Sequence, residues 1–173
     1  MDLGAILPKI LINNEIFGNH IINNKTTLYF VNCNHITVNI TQKVCHITLQ
    51  DCEYVNIKTR GGSITGLDDI NCNNINHVLE NSCVYLLDVS NCAGCTYYIS
   101  EDNALETIIS SYGSPDIKII TTCPISGNIK HKFMPIISFF DIYRMYIFEK
   151  NNDLVQLYYI TPNYNKKIVN AST

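Results

Sequence analysis

One repeated dipeptide constrains the fold of this chain more than any other feature. An Asn or Asp followed by Cys occurs four times, as Asn32-Cys33, Asp51-Cys52, Asn71-Cys72 and Asn91-Cys92. The cysteines are separated by 19, 20 and 20 residues (52 minus 33, 72 minus 52, 92 minus 72). Self-similarity at a fixed short period is the signature of stacked repeat architectures. We therefore expect a solenoid whose coil is 19 to 20 residues long.

Short alternating runs of β-forming residues lie between these dipeptides, for example Ile36 to Ile40 and Tyr54 to Ile57. Alternation with a period of two is typical of a half-buried strand. Gly61-Gly62 and Asn73-Asn74 separate such runs and suit corners that need positive φ. Each repeat should contain two short strands and two corners. Since one coil cannot bury its own apolar face, coils must stack about 4.8 Å apart, with the cysteines pointing inward as a ladder.

The sequence thus predicts an all-β fold, a right-handed parallel β-helix, as a single domain over residues 1–173. We expect coils over Leu28 to Ile120, and a C-terminal hairpin over residues 136–160. Its two apolar runs, Ile136 to Phe148 and Leu154 to Ile160, flank a polar turn. A helix over the first run is the alternative, but Ile, Tyr and Phe favour strands and no N-cap precedes them.

Composition excludes several classes of partner. The net charge of -3 gives no field that would attract nucleic acid or anionic lipid. Asn, Asp or Lys interrupts every apolar segment well before the roughly 18 residues that a membrane span needs. Since no export signal is recognisable, the cysteines are expected to be reduced thiols. We therefore expect a cytoplasmic protein that binds neither nucleic acid nor membranes.

Candidate catalytic and metal-binding motifs are weak. Cys92 and Cys95 have C-x-x-C spacing, but zinc would need a second pair of ligands. The acidic pairs Asp68-Asp69 and Glu101-Asp102 are expected beside corners, where Asp favours turns. We expect no metal, no cofactor and no catalytic residue. A carbohydrate-active β-helix enzyme remains an alternative, because such folds also carry hydrolases and lyases.

Three segments resemble the C-terminal actin-binding domain of the cyclase-associated proteins. They are Leu28 to Cys33, Thr41 to Cys52 and Ala93 to Ser100, and the second keeps Lys43 at a family position. The resemblance implies a β-helix that binds monomeric, ADP-bound actin and acts by sequestration or nucleotide exchange. It also implies association with the cytoskeleton and a short single-domain form, if Met1 is the natural start. It further implies a homodimer that exchanges its tail strands.

Three cationic residues are the candidate actin contacts: Lys43, Lys58 and Arg60. Lys43 follows from the resemblance, and the other two follow from their predicted exposure on a flat sheet face. Actin is acidic, and charges at the rim of an interface govern association rate and salt dependence.

The predicted hairpin is rich in aromatic residues, namely Phe139, Phe140, Tyr143, Tyr146, Phe148, Tyr158 and Tyr159. An isolated two-stranded hairpin is marginal in water and cannot bury this much aromatic surface. The hairpin must therefore dock on its own last coil or exchange with a second chain across a two-fold axis. The resemblance favours exchange, so we expect a homodimer.

A second family with a similar fold, tubulin-binding cofactor C, gives a further alternative. That family presents a catalytic arginine to a GTPase within a Gln-x-Arg segment. Arg60 and Arg144 are the only arginines here, and neither has Gln two positions earlier. A GTPase-regulating arginine finger is therefore disfavoured.

Overall fold

The computed structural model describes residues 9–23, 26–123, 126, 128–133, 144–152, 154–160, 163–169 and 171–172. The elements in chain order are β1 Lys9–Asn13, β2 Asn19–Ile22, β3 Thr26–Val31, β4 Thr37–Ile40, β5 Val44–Gln50, β6 Asn56–Ile70, β7 Asn76–Ser90, β8 Thr96–Ser100, α1 Glu101–Ala104, β9 Ile108–Tyr112, β10 Lys118–Thr122, β11 Ile129–Phe133, β12 Arg144–Asn151, β13 Leu154–Ile160, β14 Lys166–Val169 and β15 Ala171–Ser172.

The strands from β1 to β10 stack in two parallel sheets. Sheet A contains β1, β3, β5, the second halves of β6 and β7, and β9. Sheet B contains β2, β4, the first halves of β6 and β7, then β8 and β10. Each coil contributes one strand to each sheet, so the chain is a β-solenoid as predicted.

The solenoid begins one coil earlier than the predicted start at Leu28. β1 pairs in parallel with β3, and β2 pairs in parallel with β4. Six coils therefore run from Lys9 to Thr122, with α1 in the last return to sheet A. The first coil lacks the Asn/Asp-Cys dipeptide, because its corner reads Asn14-Glu15.

The corner from sheet A to sheet B explains why the dipeptide repeats. Each such corner has two residues with positive φ, three positions apart: Asn14 and Phe17, Asn32 and His35, Asp51 and Tyr54, Asn71 and Asn74, Asn91 and Gly94, Gly113 and Asp116. Asn, Asp and Gly tolerate this left-handed conformation best. At Gly94 an added Cβ would also lie 2.8 Å from Oδ1 of Asn74. The first position therefore selects Asn, Asp or Gly, and the next residue turns inward.

The predicted cysteine ladder is confirmed. Cys33, Cys52, Cys72 and Cys92 are each at most 1% exposed. Each thiol donates to the carbonyl two residues earlier, with Sγ to oxygen distances of 3.2 to 3.3 Å. In the last coil Ser114 takes the same place, and its Oγ donates to Tyr112 O at 2.8 Å. The ladder thus satisfies its polar hydrogens with backbone acceptors at the corner.

Ladder thiols are expected to resist alkylation in the folded protein. The hydrogen bond to the Cys72 thiol and burial raise the pKa of Cys52. In Cys72 and Cys92 one neighbouring thiol lowers the pKa, but the other neighbour and burial outweigh it and raise the pKa. Because the thiolate is the nucleophile, iodoacetamide at pH ~8 should leave the four ladder cysteines unmodified until denaturant is added. Rapid labelling of Cys52 or Cys72 in the native protein, read by peptide mass spectrometry, would contradict this.

One polar cluster interrupts the apolar interior. Asp69, His77 and Tyr97 are all 0% exposed. The Asp69 carboxylate lies 3.1 Å from His77 Nε2 and accepts a 2.5 Å hydrogen bond from Tyr97 Oη. The His77 and Tyr97 rings stack with centroids 5.3 Å apart. Asp69 is therefore a buried residue of strand β6, which ends one residue later at Ile70, and the Asp68-Asp69 pair lies just before the corner that begins at Asn71.

The C-terminal strands close the solenoid in antiparallel fashion. β11 pairs with β10, and β15 pairs with β11. β12 pairs with both β9 and β13, and β14 adds to β13. Within the described residues the predicted hairpin is confirmed as β12 and β13, and Arg144 to Phe148 form strand and not the alternative helix. Residues 136–143 of the predicted hairpin lie outside the described residues, and β14 was not predicted.

The aromatic residues of the hairpin are partly accounted for within one chain. Tyr146 and Phe148 are 1% and 4% exposed, and Phe148 packs edge-on against Phe133. Tyr158 and Tyr159 are half-buried. Phe139, Phe140 and Tyr143 lie outside the described residues. In this single chain the hairpin docks on the last coil through β9, which is one of the two arrangements that the sequence left open.

Candidate functional site

The outward side of sheet B, called face B below, carries one polar column of side chains and one mixed column. One column in direct register consists of Asn19, Thr37, Asn56, Asn76, Thr96 and Lys118. The next outward column consists of Ile21, Asn39, Lys58, Val78 and Tyr98. Residues between these positions point into the core. The outward side chains therefore repeat at every second position along each strand. Such a surface permits close approach of another flat surface.

Face B carries more cations than carboxylates. Lys58 Nζ lies 2.8 Å from Glu80 Oε1, and Arg60 Nε lies 3.3 Å from Glu80 Oε2. The three side chains are 38%, 66% and 41% exposed. One carboxylate is therefore shared by two cations, and Lys118 adds a third, exposed cation at the end of the polar column. The surface has a net positive charge in an otherwise acidic protein.

The third predicted contact residue borders this face. Lys43 is exposed in the corner between β4 and β5. Ile40, just before that corner, pairs with Thr59, so Arg60 begins the corresponding corner of the next coil. The fold therefore brings Lys58 and Arg60 onto face B and puts Lys43 at its edge.

The outward side of sheet A, called face A, has the opposite character. Asp68 and Asp88 are in register on neighbouring strands. Asp68 lies 2.7 Å from His46 Nε2, and Asp88 accepts a 3.2 Å hydrogen bond from Ser110. Gly66 makes room for the His46 ring, because a Cβ there would lie 2.5 Å from the ring. Both carboxylates thus have structural partners, and the pair does not favour the alternative of a carbohydrate-active enzyme.

Sequence reasoning missed Glu80, Lys118 and the polar column. The signal was available, because Asn56, Asn76 and Thr96 follow one another at intervals of 20 residues, as the cysteines do. Applying that spacing to every position, and not only to the cysteines, would have aligned the outward columns. It would also have put Glu80 beside Lys58 and Arg60.

Features typical of metal or membrane sites are limited. No group of three His, Cys, Asp or Glu residues within the described ranges could hold a metal ion. All eight cysteines are described, and none forms a disulfide. Within the same ranges, no helix is long and apolar enough to cross a membrane.

Comparisons with known proteins identify the family. No curated protein matches the chain significantly in sequence. A crystal structure of cyclase-associated protein from Cryptosporidium parvum has a similar fold, with a TM-score of 0.65 and 13% sequence identity over 87% of this chain and 88% of that one. The sequence model described as adenylate cyclase associated (CAP) C terminal matches residues 12–140. Because this match covers most of the chain, the chain belongs to the family of CAP C-terminal domains.

Proposed function

We propose that the chain binds actin monomers in their ADP-bound form through face B, with Lys43, Lys58 and Arg60 as its cationic contacts. The family is known in general for binding actin and is associated with the cytoskeleton. In this proposal the protein is a cytoplasmic binding module without catalytic residues or a cofactor. It regulates actin dynamics by sequestering monomers, by promoting nucleotide exchange, or by both.

The observation that carries the proposal is the charge difference between the two faces. Face B combines Lys58, Arg60 and Lys118 with the single carboxylate of Glu80, whereas the central columns of face A contain Asp68 and Asp88. Actin is acidic, so charge complementarity favours face B and should accelerate the encounter. A regular sheet surface that combines a polar column with a mixed column also fits a large, rigid partner.

A binding assay with labelled actin monomers tests the proposal. Fluorescence anisotropy of ADP-actin should rise to saturation as the chain is added, and the affinity should fall as salt increases. ATP-actin in parallel reports the nucleotide preference, and release of a fluorescent nucleotide separates exchange from sequestration. If neither nucleotide form of actin shows saturable binding at low salt, the proposed function is wrong.

The GTPase-regulator alternative gains no specific support. A catalytic arginine must reach into a partner's active site with its guanidinium exposed for phosphate. Arg60 instead makes an ion pair with Glu80 on the neighbouring coil. Arg144 lies in the C-terminal sheet, with its guanidinium 5.1 Å from the centre of the Tyr159 ring.

A homodimer through the C-terminal hairpin is a further part of the proposal. β14 has β13 as its only strand partner among the described residues, and Leu154 and Ile168 in this sheet are 55% and 57% exposed. An edge strand with exposed apolar residues favours pairing with another chain. The β12 to β9 contact made within one chain could also form between two chains by exchange.

Removal of the hairpin is expected to abolish the dimer. Light scattering should give the intact chain twice its monomer mass of 19.6 kDa. The chain truncated after Gly127 should have the mass of a monomer. A double variant, Leu154→Lys with Ile168→Lys, keeps the full chain and should also weaken association. An intact protein that is monomeric at all concentrations tested, or a truncated one that stays dimeric, would refute the dimer.

A further inference from the structure

Three stacked rings line the corner that leads into face B. The ring centroids of Phe17 and His35 are 4.9 Å apart, and those of His35 and Tyr54 are 4.7 Å apart. Two positions after each of these residues comes the first outward residue of a strand in sheet B. The three rings, called the aromatic ridge below, therefore run beside the polar column of face B along the first three coils.

The aromatic ridge is exposed although its rings stack on one another. Phe17 and Tyr54 are 76% and 45% exposed, and His35 is also exposed. Two further apolar side chains of the first coil, Ile16 and Ile21, are 66% and 74% exposed. Single exposed apolar residues are common at protein surfaces, but a contiguous group of them marks an interaction site. The ridge and its two isoleucines form such a group at the edge of face B.

The backbone at the ridge is unfavourable for large side chains. Phe17 and Tyr54 have φ values of 62° and 52°, and a bulky residue in this left-handed region is an outlier. The equivalent positions of the last three coils contain residues that adopt this conformation more readily, namely Asn74, Gly94 and Asp116. The corner geometry therefore does not explain the two rings. Backbone strain of this kind is typically retained at functional sites.

The ridge and the cationic residues of face B lie on the same coils. Tyr54 precedes the strand that carries Lys58, and Arg60 begins the corner at the other end of that strand segment. Lys43 is in the preceding corner of the same edge. The energetically dominant residues of protein interfaces are enriched in aromatic side chains and arginine. An apolar edge and a cationic edge thus enclose the polar column of face B.

We propose that the aromatic ridge is the apolar anchor of the contact with the actin monomer. This inference rests on the proposed binding of actin through face B. The rings of Phe17 and Tyr54, together with Ile16 and Ile21, pack against an apolar patch of the monomer. The cations of face B pair with carboxylates beside that patch. The ridge slows dissociation of the complex, whereas the cations mainly accelerate its formation.

The double variant Phe17→Asn with Tyr54→Asn tests the proposal in the full chain. Its dissociation constant for ADP-actin monomers, measured by fluorescence anisotropy, should rise about tenfold or more, mainly through faster dissociation. The ratio to the parent chain should persist at higher salt, because salt does not screen apolar contacts. The midpoint of urea unfolding should not fall, since Asn adopts the left-handed conformation more readily than Phe or Tyr.

Two single variants serve as matched controls. Tyr54→Phe keeps the ring and should change the affinity by about twofold or less, because the ring supplies the contact area. Tyr164 is also an exposed tyrosine with positive φ, at 89% and 59°, but it lies in the turn before β14. Tyr164→Asn makes the same chemical change away from the ridge and should leave actin binding unchanged.

The ridge inference and the proposed function fail in different ways. If the parent chain does not bind actin, both are wrong. If the parent chain binds and the double variant binds equally well, only the ridge inference is wrong. It is also wrong if Tyr164→Asn weakens binding as much as the double variant. A double variant that loses affinity together with its resistance to urea would show that the ridge stabilises the fold and does not contact actin.

Discussion

The Asp69→Ala variant is expected to lose about 3 to 5 kcal/mol of its free energy of unfolding, the usual cost of removing one partner from a buried ionic cluster. Asp69 accepts hydrogen bonds from His77 Nε2 and Tyr97 Oη in an interior where all three side chains are 0% exposed. Without the carboxylate, both donors remain buried without an acceptor. Urea unfolding followed by circular dichroism measures the loss.

The neighbouring residue supplies a matched control. Asp68 is on the same strand but points outward to His46, with side chains about one third exposed (30% and 34%). Exposed ion pairs contribute about 1 kcal/mol or less, so Asp68→Ala should have a small effect. If the two substitutions destabilise the protein equally, the buried cluster is not the source of the loss.

Replacing the whole cluster with apolar residues should restore stability. Asp69 lies in register between Leu49 and Val89, and His77 lies between Ile57 and Tyr97. The triple variant Asp69→Leu, His77→Ile and Tyr97→Phe continues these apolar columns and removes every polar side chain of the cluster. We expect its stability to be close to that of the parent chain, as seen when buried ionic groups are exchanged together.

The second large effect concerns actin. Replacing Lys43, Lys58 and Arg60 together by Ala should weaken binding to ADP-actin monomers by about 10- to 30-fold at low salt, since each exposed charge contributes up to roughly 1 kcal/mol. The salt dependence of the remaining binding should become shallower, because three charges are missing. The triple variant should remain folded, since these side chains lie at the surface.

Removing the negative charge of face B should have the opposite effect on binding. Glu80 contacts both Lys58 and Arg60, so Glu80→Gln releases two cations without altering shape and should raise the association rate. Lys9→Ala removes a cation from face A and should leave binding unchanged. If the triple variant binds as well as the parent chain at low salt, these residues are not the contacts.

The coil spacing could be predicted because the corner geometry acts on single residues. Positive φ at Asn32, Asp51, Asn71 and Asn91 selects Asn or Asp, and the inward position after them selects a small side chain. The dipeptide is absent from the corners at both ends of the solenoid. The first corner has Glu15, which binds His20 at 2.7 Å, and the last has Gly113-Ser114, so neither carries the dipeptide.

The polar cluster and the closing strands could not be predicted in this way. Asp69 meets a histidine eight residues later, across the corner of the same coil, and a tyrosine 28 residues later on the next coil, and only the stacked structure brings the three together. Local propensity indicates only that Asp69 is near a corner, and it gives no sign of the buried partners. β14 is a short strand of which three of four residues are exposed, so it lacks the alternating pattern.

Side-chain footprinting with hydroxyl radicals tests most directly which face binds actin. Tyr98 on face B and Tyr29 on face A are both half-buried tyrosines on opposite sheets, so they report each face with the same chemistry. On addition of saturating ADP-actin monomers, oxidation of Tyr98 should fall several-fold while that of Tyr29 stays constant. Protection of Tyr29 in place of Tyr98, or of neither residue while actin is bound, would contradict binding through face B.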